Sequence, residues 1–578
     1  MADDKPRSNL VWLLILIVVV LLIGLAFYLC SRNQHTAAGS RGGRVATILA
    51  VNDIYRVDGV GKDEIGGLHR LRTLRNDIEK KSGKVLLLHA GDFLSPSLEG
   101  RVFKGEHMVD AMNNLDGDPK KFDARMFVAF GNHEFDDSKC GVPVAPLPAR
   151  VEQSQFTWLV SNLDFSNCAS MKTIPALKNV KRTAIVDING VKIGLFSLGL
   201  TGNPKDSKSY PATSDSYDSA RAAIKELRDK KADVVVALTH LDRHDDEMLL
   251  RSLSEHGLDL LIGGHDHEKM EIKDALGIVR GFKADSDAKT AWEVEVRVQK
   301  GGRPVIVPKK LNELDQKIAA DPAIDKLAKK WTAEAEAKLC ADRHKAGREP
   351  DDIACLRKLA GKALFPIELE EKENRGSETE FGRWLASEVR KVTKADVAIV
   401  HSGMLGLNTN LAANSDLQYK QIVDIFRFDD YVAVRSYDAS DVCDAIRHGF
   451  SRAGTGAWPH IYGASPDGPD KDAADPKVKW KDIKIELADP RKVIGCEKGN
   501  NVRVAGVAYL LCGGDEYPLM AKDGVDAKSP EEKNSKCLAG VAKDPTPGET
   551  ARYISLVAED AVREASKTGG IKAPPPIP

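Results

Sequence analysis

No Cys-x-x-Cys pair occurs among the nine cysteines, so nothing suggests a zinc knuckle. The chain has no excess of one charge either. Its 84 Lys and Arg against 85 Asp and Glu leave a formal net charge of -1, which gives no electrostatic footprint for nucleic acid. A faithful phosphate loop is missing, because Val60-Gly61-Lys62-Asp63 lacks both the leading glycine and the following Ser or Thr. No internal repeat is evident. What remains is ordinary globular material, 42% hydrophobic and 29% charged over 578 residues, enough for two domains plus accessory segments.

The N-terminus departs from that average. Leu10 to Cys30 is an uncharged run of 21 residues, long enough to cross a bilayer as a helix. A cleaved signal has a shorter apolar core and a small-residue cleavage site. We therefore expect a retained transmembrane anchor at 10–30, with 1–9 as a tail and 31–44 as an Ala/Gly/Arg/Ser-rich linker. Lys5 and Arg7 precede the run and Arg32, Arg41 and Arg44 follow it, so the positive-inside rule does not set its orientation. The other eight cysteines, an even number, fit disulfides, and free thiols are the alternative. Together with the anchor they point to an oxidising compartment, with the globular part extracytoplasmic, periplasmic or extracellular. Nearness in sequence suggests Cys340–Cys355 and Cys140–Cys168 as pairs.

From residue 45 to 310, apolar runs alternate with charged stretches of helical spacing. The runs are Ala46–Val51, Val85–His89, Phe127–Phe130, Val191–Leu198, Val234–Leu238 and Leu258–Ile262. Such alternation predicts an α/β layered domain. Residues 311–364 read as a charged helical connector, 365–567 as a second mixed α/β unit, and 568–578 as a disordered tail. Within the second unit, the Gly-, Pro- and Asp-rich stretch 453–479 predicts a long exposed loop.

In open α/β sheets, ligands gather at the carboxyl ends of the strands. The residues just beyond these runs are rich in metal-binding side chains. They read Asn52-Asp53-Ile54-Tyr55, Gly91-Asp92, Gly131-Asn132-His133-Glu134-Phe135-Asp136, Thr239-His240, and Gly263-Gly264-His265-Asp266-His267. On extended chain, i and i+2 share a side, so Asp53 with Tyr55, and His265 with His267, can each aim two groups at one centre. Mixed oxygen and imidazole donors in this number suit two divalent ions sharing a carboxylate.

These blocks resemble the metallophosphoesterases of the 5'-nucleotidase type, whose pattern is D-x-H, GD, GNHE, H and GHxH. The resemblance extends over nearly all of the chain after residue 44. It implies a four-layer α/β/β/α sandwich followed by a second, substrate-binding domain, with a hinge movement between them. It implies that Asp92 bridges two divalent metal ions (Mn, Zn, Mg or Ca), that Asp53 and His267 bind the first, and that Asn132, His240 and His265 bind the second. It also implies that His133, oriented by Asp136, is the catalytic histidine. The reaction expected is hydrolysis of a phosphomonoester by in-line attack of a metal-bound hydroxide, releasing inorganic phosphate. In the second domain the resemblance implies a nucleotide site: Arg375 for a substrate phosphate, Phe428 and Tyr509 for the base, and Asp515 for the ribose.

Two departures keep alternatives open. Tyr55 stands where the family pattern has a histidine ligand, and a phenol is a poor neutral ligand. In His401-Ser402-Gly403-Met404-Leu405-Gly406, relatives usually carry Asn at the first position and Arg at the last. Losing that guanidinium removes a fork suited to phosphate or base recognition. A 5'-nucleotidase is the leading expectation. A phosphoesterase for nucleotide sugars, cyclic nucleotides or non-nucleotide phosphoesters is the first alternative. A surface binding or scaffold protein with a vestigial metal site is the second.

Overall fold

A computed structural model describes residues 43–574, except 62–63, 142, 201–209, 300, 348–351, 427, 429, 468–481, 489–491 and 520–552. The stretch expected to be an anchor lies outside the described residues; among these, no helix is long and apolar enough to cross a membrane.

The first half is built on two sheets. The strands of these two sheets, in chain order, are β1 (Arg44–Val51), β2 (Val85–His89), β3 (Met126–Ala129), β4 (Thr157–Leu159), β5 (Val180–Lys181), β6 (Thr183–Ile188), β7 (Val191–Leu198), β8 (Val234–Thr239), β9 (Leu260–Gly263), β10 (Met270–Lys273), β11 (Val279–Lys283), β12 (Thr290–Val298) and β13 (Val305–Glu313). One sheet has the order β13-β12-β1-β2-β3-β4-β5 and the other β10-β11-β9-β8-β7-β6. β1 to β5 run parallel in the first sheet, and β7, β8, β9 and β11 run parallel in the second.

Alternation along each strand explains the layering. Ile48, Leu86, Leu88 and Phe127 meet Ile193, Val234, Val236 and Leu260 between the sheets. Their neighbours Leu49, Leu87 and Val128 face outward onto α1 (Leu68–Ser82), against Leu71, Leu74 and Ile78. On the far side, Phe196, Val235 and Leu261 pack on α2 (Ser216–Asp229) and α3 (Arg243–Leu253). Strands buried on both faces need apolar side chains on both, which is why β2 and β8 read as continuous runs. Each fully buried Leu or Ile contributes about 1.5–3 kcal/mol. The outcome is the expected α/β/β/α sandwich.

The charged connector resolves into the end of β13, helix α4 (Pro322–Lys345) and the strand Leu359–Ala363. Asp321 caps α4 by accepting from the backbone N–H of Ala323 and Ile324, and Pro322 opens it. Ile324 and Ala328 pack into the first domain and Ala335 and Cys340 into the second, so α4 joins the two cores. The second domain centres on a four-stranded sheet in the order Val432–Asp438, Asn501–Val507, Val397–His401, Pro459–Tyr462.

Two expectations need correction. The stretch 453–479 is not a plain loop, because it contributes the strands Pro459–Tyr462 and Ala464–Asp467. The tail from 568 is not simply disordered. Gly569 and Gly570, at φ 99° and 125°, turn the chain back after helix Ile554–Ser566. Ile571, fully buried, then donates to Lys362 O at 2.8 Å and accepts from Leu364 N at 3.0 Å. Disulfides join Cys140 to Cys168, Cys340 to Cys355 and Cys443 to Cys496, the first two as expected from nearness.

Candidate metal centre and active site

Five parallel strands deliver their following loops to one end of the two sheets. Asp53 follows β1, Asp92 follows β2, Asn132 and His133 follow β3, His240 follows β8, and His265 and His267 follow β9. Asp53, Asp92, His265 and His267 all have positive φ, between 52° and 81°. For non-glycine residues each such conformation costs about 1–3 kcal/mol and persists only where the surroundings fix it.

Glycines permit the close approach. A Cβ on Gly131 would lie 2.2 Å from Asp92 Oδ1 and 2.7 Å from His240 Cε1. Glu134 supplies the fixing. Its buried carboxylate accepts from the backbone N–H of Asp92 (3.0 Å), Phe93 (2.8 Å) and Gly131 (2.6 Å), so it binds the β2 and β3 loops together. Burial first, and the nearby Asp92 second, push its pKa up to about 7. On the β9 side, the buried Lys283 ammonium donates to Leu241 O (2.8 Å) and Gly264 O (2.9 Å) and pairs with Asp246 and Asp266.

An ion held at about 2.0–2.2 Å by each ligand, with tetrahedral to octahedral angles, puts neighbouring donors roughly 2.8–3.6 Å apart. Both donor sets meet that test. In the second set, His240 Nε2 lies 3.1 Å from Asp92 Oδ2 and 3.2 Å from Asn132 Oδ1, and His265 Nδ1 lies 3.1 Å from Asn132 Oδ1. In the first set, His267 Nε2 lies 3.3 Å from Asp53 Oδ1. The phenol of Tyr55 completes it, with Oη 3.3 Å from Asp53 Oδ1, 3.3 Å from Asp92 Oδ2 and 2.8 Å from His267 Nε2. Tyr55 thus sits at a corner of the donor set. Asp53, Asp92 and His240 also draw together, with ligand atoms all within 4.8 Å of one another.

The electrostatics are those of a cation site. Burial opposes charge on Asp53 and Asp92, but the adjoining imidazoles outweigh it and hold both carboxyls below the usual range. Burial likewise opposes charge on His240, yet Asp92 and Asp53 raise its pKa to about 10. His265 is held near 3, by burial first and by His240 second. Two buried carboxylates therefore require positive charge here, carried by protons or by metal ions that displace them.

His133 lies at the rim, half-buried, with Nδ1 2.9 Å from Asp136 Oδ2 and Nε2 4.0 Å from Asp92 Oδ2. The Phe428 ring of the second domain stacks on it at 6.0 Å between centroids. Tyr509 packs elsewhere, 5.8 Å from the His401 ring, and donates to Asp515 Oδ1 at 2.9 Å. Phe428 and Tyr509, expected to sandwich one base, thus rest on different partners. Arg375 donates to Glu371 Oε1 at 2.8 Å. His89, the last residue of β2, is buried edge-on to Phe93, and burial lowers its pKa to about 4. Motif reading missed Glu371, whose only sequence signal is its position four residues before Arg375.

Fold and site together define a two-domain metallohydrolase with a phosphoesterase sandwich. The family model for calcineurin-like phosphoesterases matches residues 46–269, and that for the 5'-nucleotidase C-terminal domain matches 358–478. The chain belongs to the 5'-nucleotidase-type metallophosphoesterases, hydrolases of phosphoester bonds. It is 22% identical to a 5'-nucleotidase of Vibrio cholerae over 81% of this chain and 87% of that protein. It is 24% identical to the trifunctional nucleotide phosphoesterase protein YfkN of Bacillus subtilis over 82% of this chain, but spans only 32% of that longer protein. Among solved structures, a 5'-nucleotidase precursor from Thermus thermophilus superposes with a TM-score of 0.68 at 17% identity, covering 92% of this chain and 98% of the other. The sulfate thiohydrolase SoxB from the same genus gives 0.61 at 13% identity, covering 93% of this chain and 96% of the other. The fold alone therefore does not choose the substrate.

Proposed function

We propose that this protein is a 5'-nucleotidase, releasing inorganic phosphate from nucleotides at a centre of two divalent ions. The observation that carries the reading is the convergence of six donors, Asp53, Asp92, Asn132, His240, His265 and His267, with His133 beside them. Asp53, Asp92, His267 and Tyr55 would hold the first ion, and Asp92, Asn132, His240 and His265 the second. When bound, such ions activate water and neutralise phosphoryl charge. The rest falls to side chains of this chain. Asp136 holds the His133 ring by Nδ1, so Nε2 is the atom that can donate a proton to a leaving oxygen or stabilise charge on the phosphoryl group. Phe428 stacks on one face of that ring.

The nucleotide assignment rests on similarity to 5'-nucleotidases and on Arg375, Phe428, Tyr509 and Asp515 in the second domain. The decisive measurement incubates the full chain with Mn²⁺, Zn²⁺, Mg²⁺ or Ca²⁺ and mononucleotides, nucleotide sugars, cyclic nucleotides and sugar phosphates. We expect phosphate release from mononucleotides. Turnover confined to the other substrates would assign the enzyme to those phosphoesters, favoured by Gly406. No turnover with any ion would point to a binding protein.

Tyr55 leads to a separate expectation. Restoring the family histidine (Tyr55→His) should alter which ion supports turnover without abolishing it. Coinciding metal titrations for the two proteins would refute that role. We further propose that residues 10–30 anchor the chain in a membrane with both domains in an oxidising, extracytoplasmic compartment. The uncharged run and the disulfides among the described residues support this.

A further inference from the structure

Side chains of the second domain reach into the loops that carry the first donor set. Glu371, which opens the short helix Glu371–Asn374, has each of its carboxylate oxygens on a different functional side chain. Oε2 takes His267 Nδ1 at 2.5 Å, and Oε1 takes the Arg375 guanidinium at 2.8 Å. Asn408 donates to Asp287 Oδ2 at 3.1 Å. Asp287 in turn accepts from Tyr55 N at 3.2 Å through Oδ1, and its own N–H donates to Asp53 O at 2.8 Å.

We propose that Glu371 is a positioning residue that couples the metal-binding geometry of His267 to the placement of Arg375, so that the first metal half-site is completed across the domain boundary. The inference rests on the metal-centre reading above. With Nδ1 engaged by Glu371, the other ring nitrogen of His267 is the one that faces Asp53 and Tyr55. A carboxylate on the second nitrogen of a ligating imidazole fixes both tautomer and ring orientation. Glu371 and His267 are each only 8% exposed, so water competes poorly for that contact. His240 in the second half-site is oriented from within its own domain, Nδ1 donating to Ala90 O at 2.7 Å. The two half-sites should therefore respond differently to loss of Glu371. Because the same carboxylate holds Arg375, a substrate phosphate that draws Arg375 away would also alter the support of His267.

The test is a Mn²⁺ titration of the full chain against a competing chelator, with thermal melting as the folding control. The wild type should bind two ions. Glu371→Ala should weaken one of them about 10–100-fold, the usual effect of removing such a support, and leave the other in place. Arg375→Ala should raise KM and shift the affinity of that same ion by less than Glu371→Ala does, leaving the other ion unchanged, because Glu371 keeps its contact with His267. Normal melting with both ions bound at wild-type affinity in Glu371→Ala would overturn the proposal, as would equal weakening of both. Should Glu371→Ala fail to fold, Glu371→Gln replaces it. Its amide offers one acceptor oxygen instead of two, so weaker binding of one ion or a raised KM is expected, and wild-type values for both would overturn the proposal. A wild type that binds no Mn²⁺ or other divalent ion would instead refute the metal-centre reading itself.

Discussion

Asp92→Asn should abolish most activity and release metal. The substitution keeps size and one carbonyl oxygen but removes the charge on which the two donor sets meet. In the folded protein Asp92 Oδ2 lies 3.1 Å from His240 Nε2 and 3.3 Å from the Tyr55 hydroxyl, while Oδ1 accepts from His133 N at 2.8 Å. Removing one preorganised electrostatic group from a buried site costs about 2.7–4 kcal/mol of transition-state stabilisation. At about 1.36 kcal/mol per tenfold, kcat/KM should fall by roughly 10²–10³. The metal content of dialysed protein, measured by mass spectrometry, should fall with it. Unchanged turnover and metal content would remove Asp92 from the centre and the bridging assignment with it.

The depth of that effect follows from how many elements meet at one aspartate, and this was only partly legible in the sequence. Strands β1, β2, β3, β8 and β9 announce themselves because burial on both faces forces continuous apolar runs. The polar residues after them must then lie at one end of a parallel sheet. Cross-chain hydrogen bonding cannot be seen that way. Glu134 reads as part of the family motif, but its grip on the β2 loop appears only once the loops are adjacent. Glu371 is separated from His267 by 104 residues, and no local pattern signals that the two meet. Tyr55 reads as a departure from the motif, whereas in the fold its hydroxyl occupies a corner of the donor set. Two stretches toward the C-terminus depart from their local signal. Residues 508–511 continue an apolar run yet turn into a short helix after strand Asn501–Val507. The Gly-Gly-Ile stretch near the C-terminus looks unstructured until Ile571 finds a core to enter. In each of these cases a tertiary contact overrides the local signal.

His133→Ala should separate catalysis from metal binding. The ring stands outside both donor sets, with Nδ1 on Asp136 and one face against Phe428, so its removal should leave ion affinity near that of the wild type. Loss of a general acid or of a donor to the phosphoryl oxygens costs about 10²–10⁴ in kcat. A change in KM should be small by comparison. Asp136→Asn should give a weaker version of the same defect, because the ring stays but loses the carboxylate that orients it. The leaving group distinguishes the two roles open to Nε2. A nitrophenolate departs without needing a proton, so if His133 acts as the acid, the variant should recover much of its rate on a nitrophenyl phosphate. If His133 stabilises phosphoryl charge instead, the defect should be equally deep on both substrates. A variant that loses its metal along with its activity would contradict the placement of His133 beside the ions and return it to the ligand set.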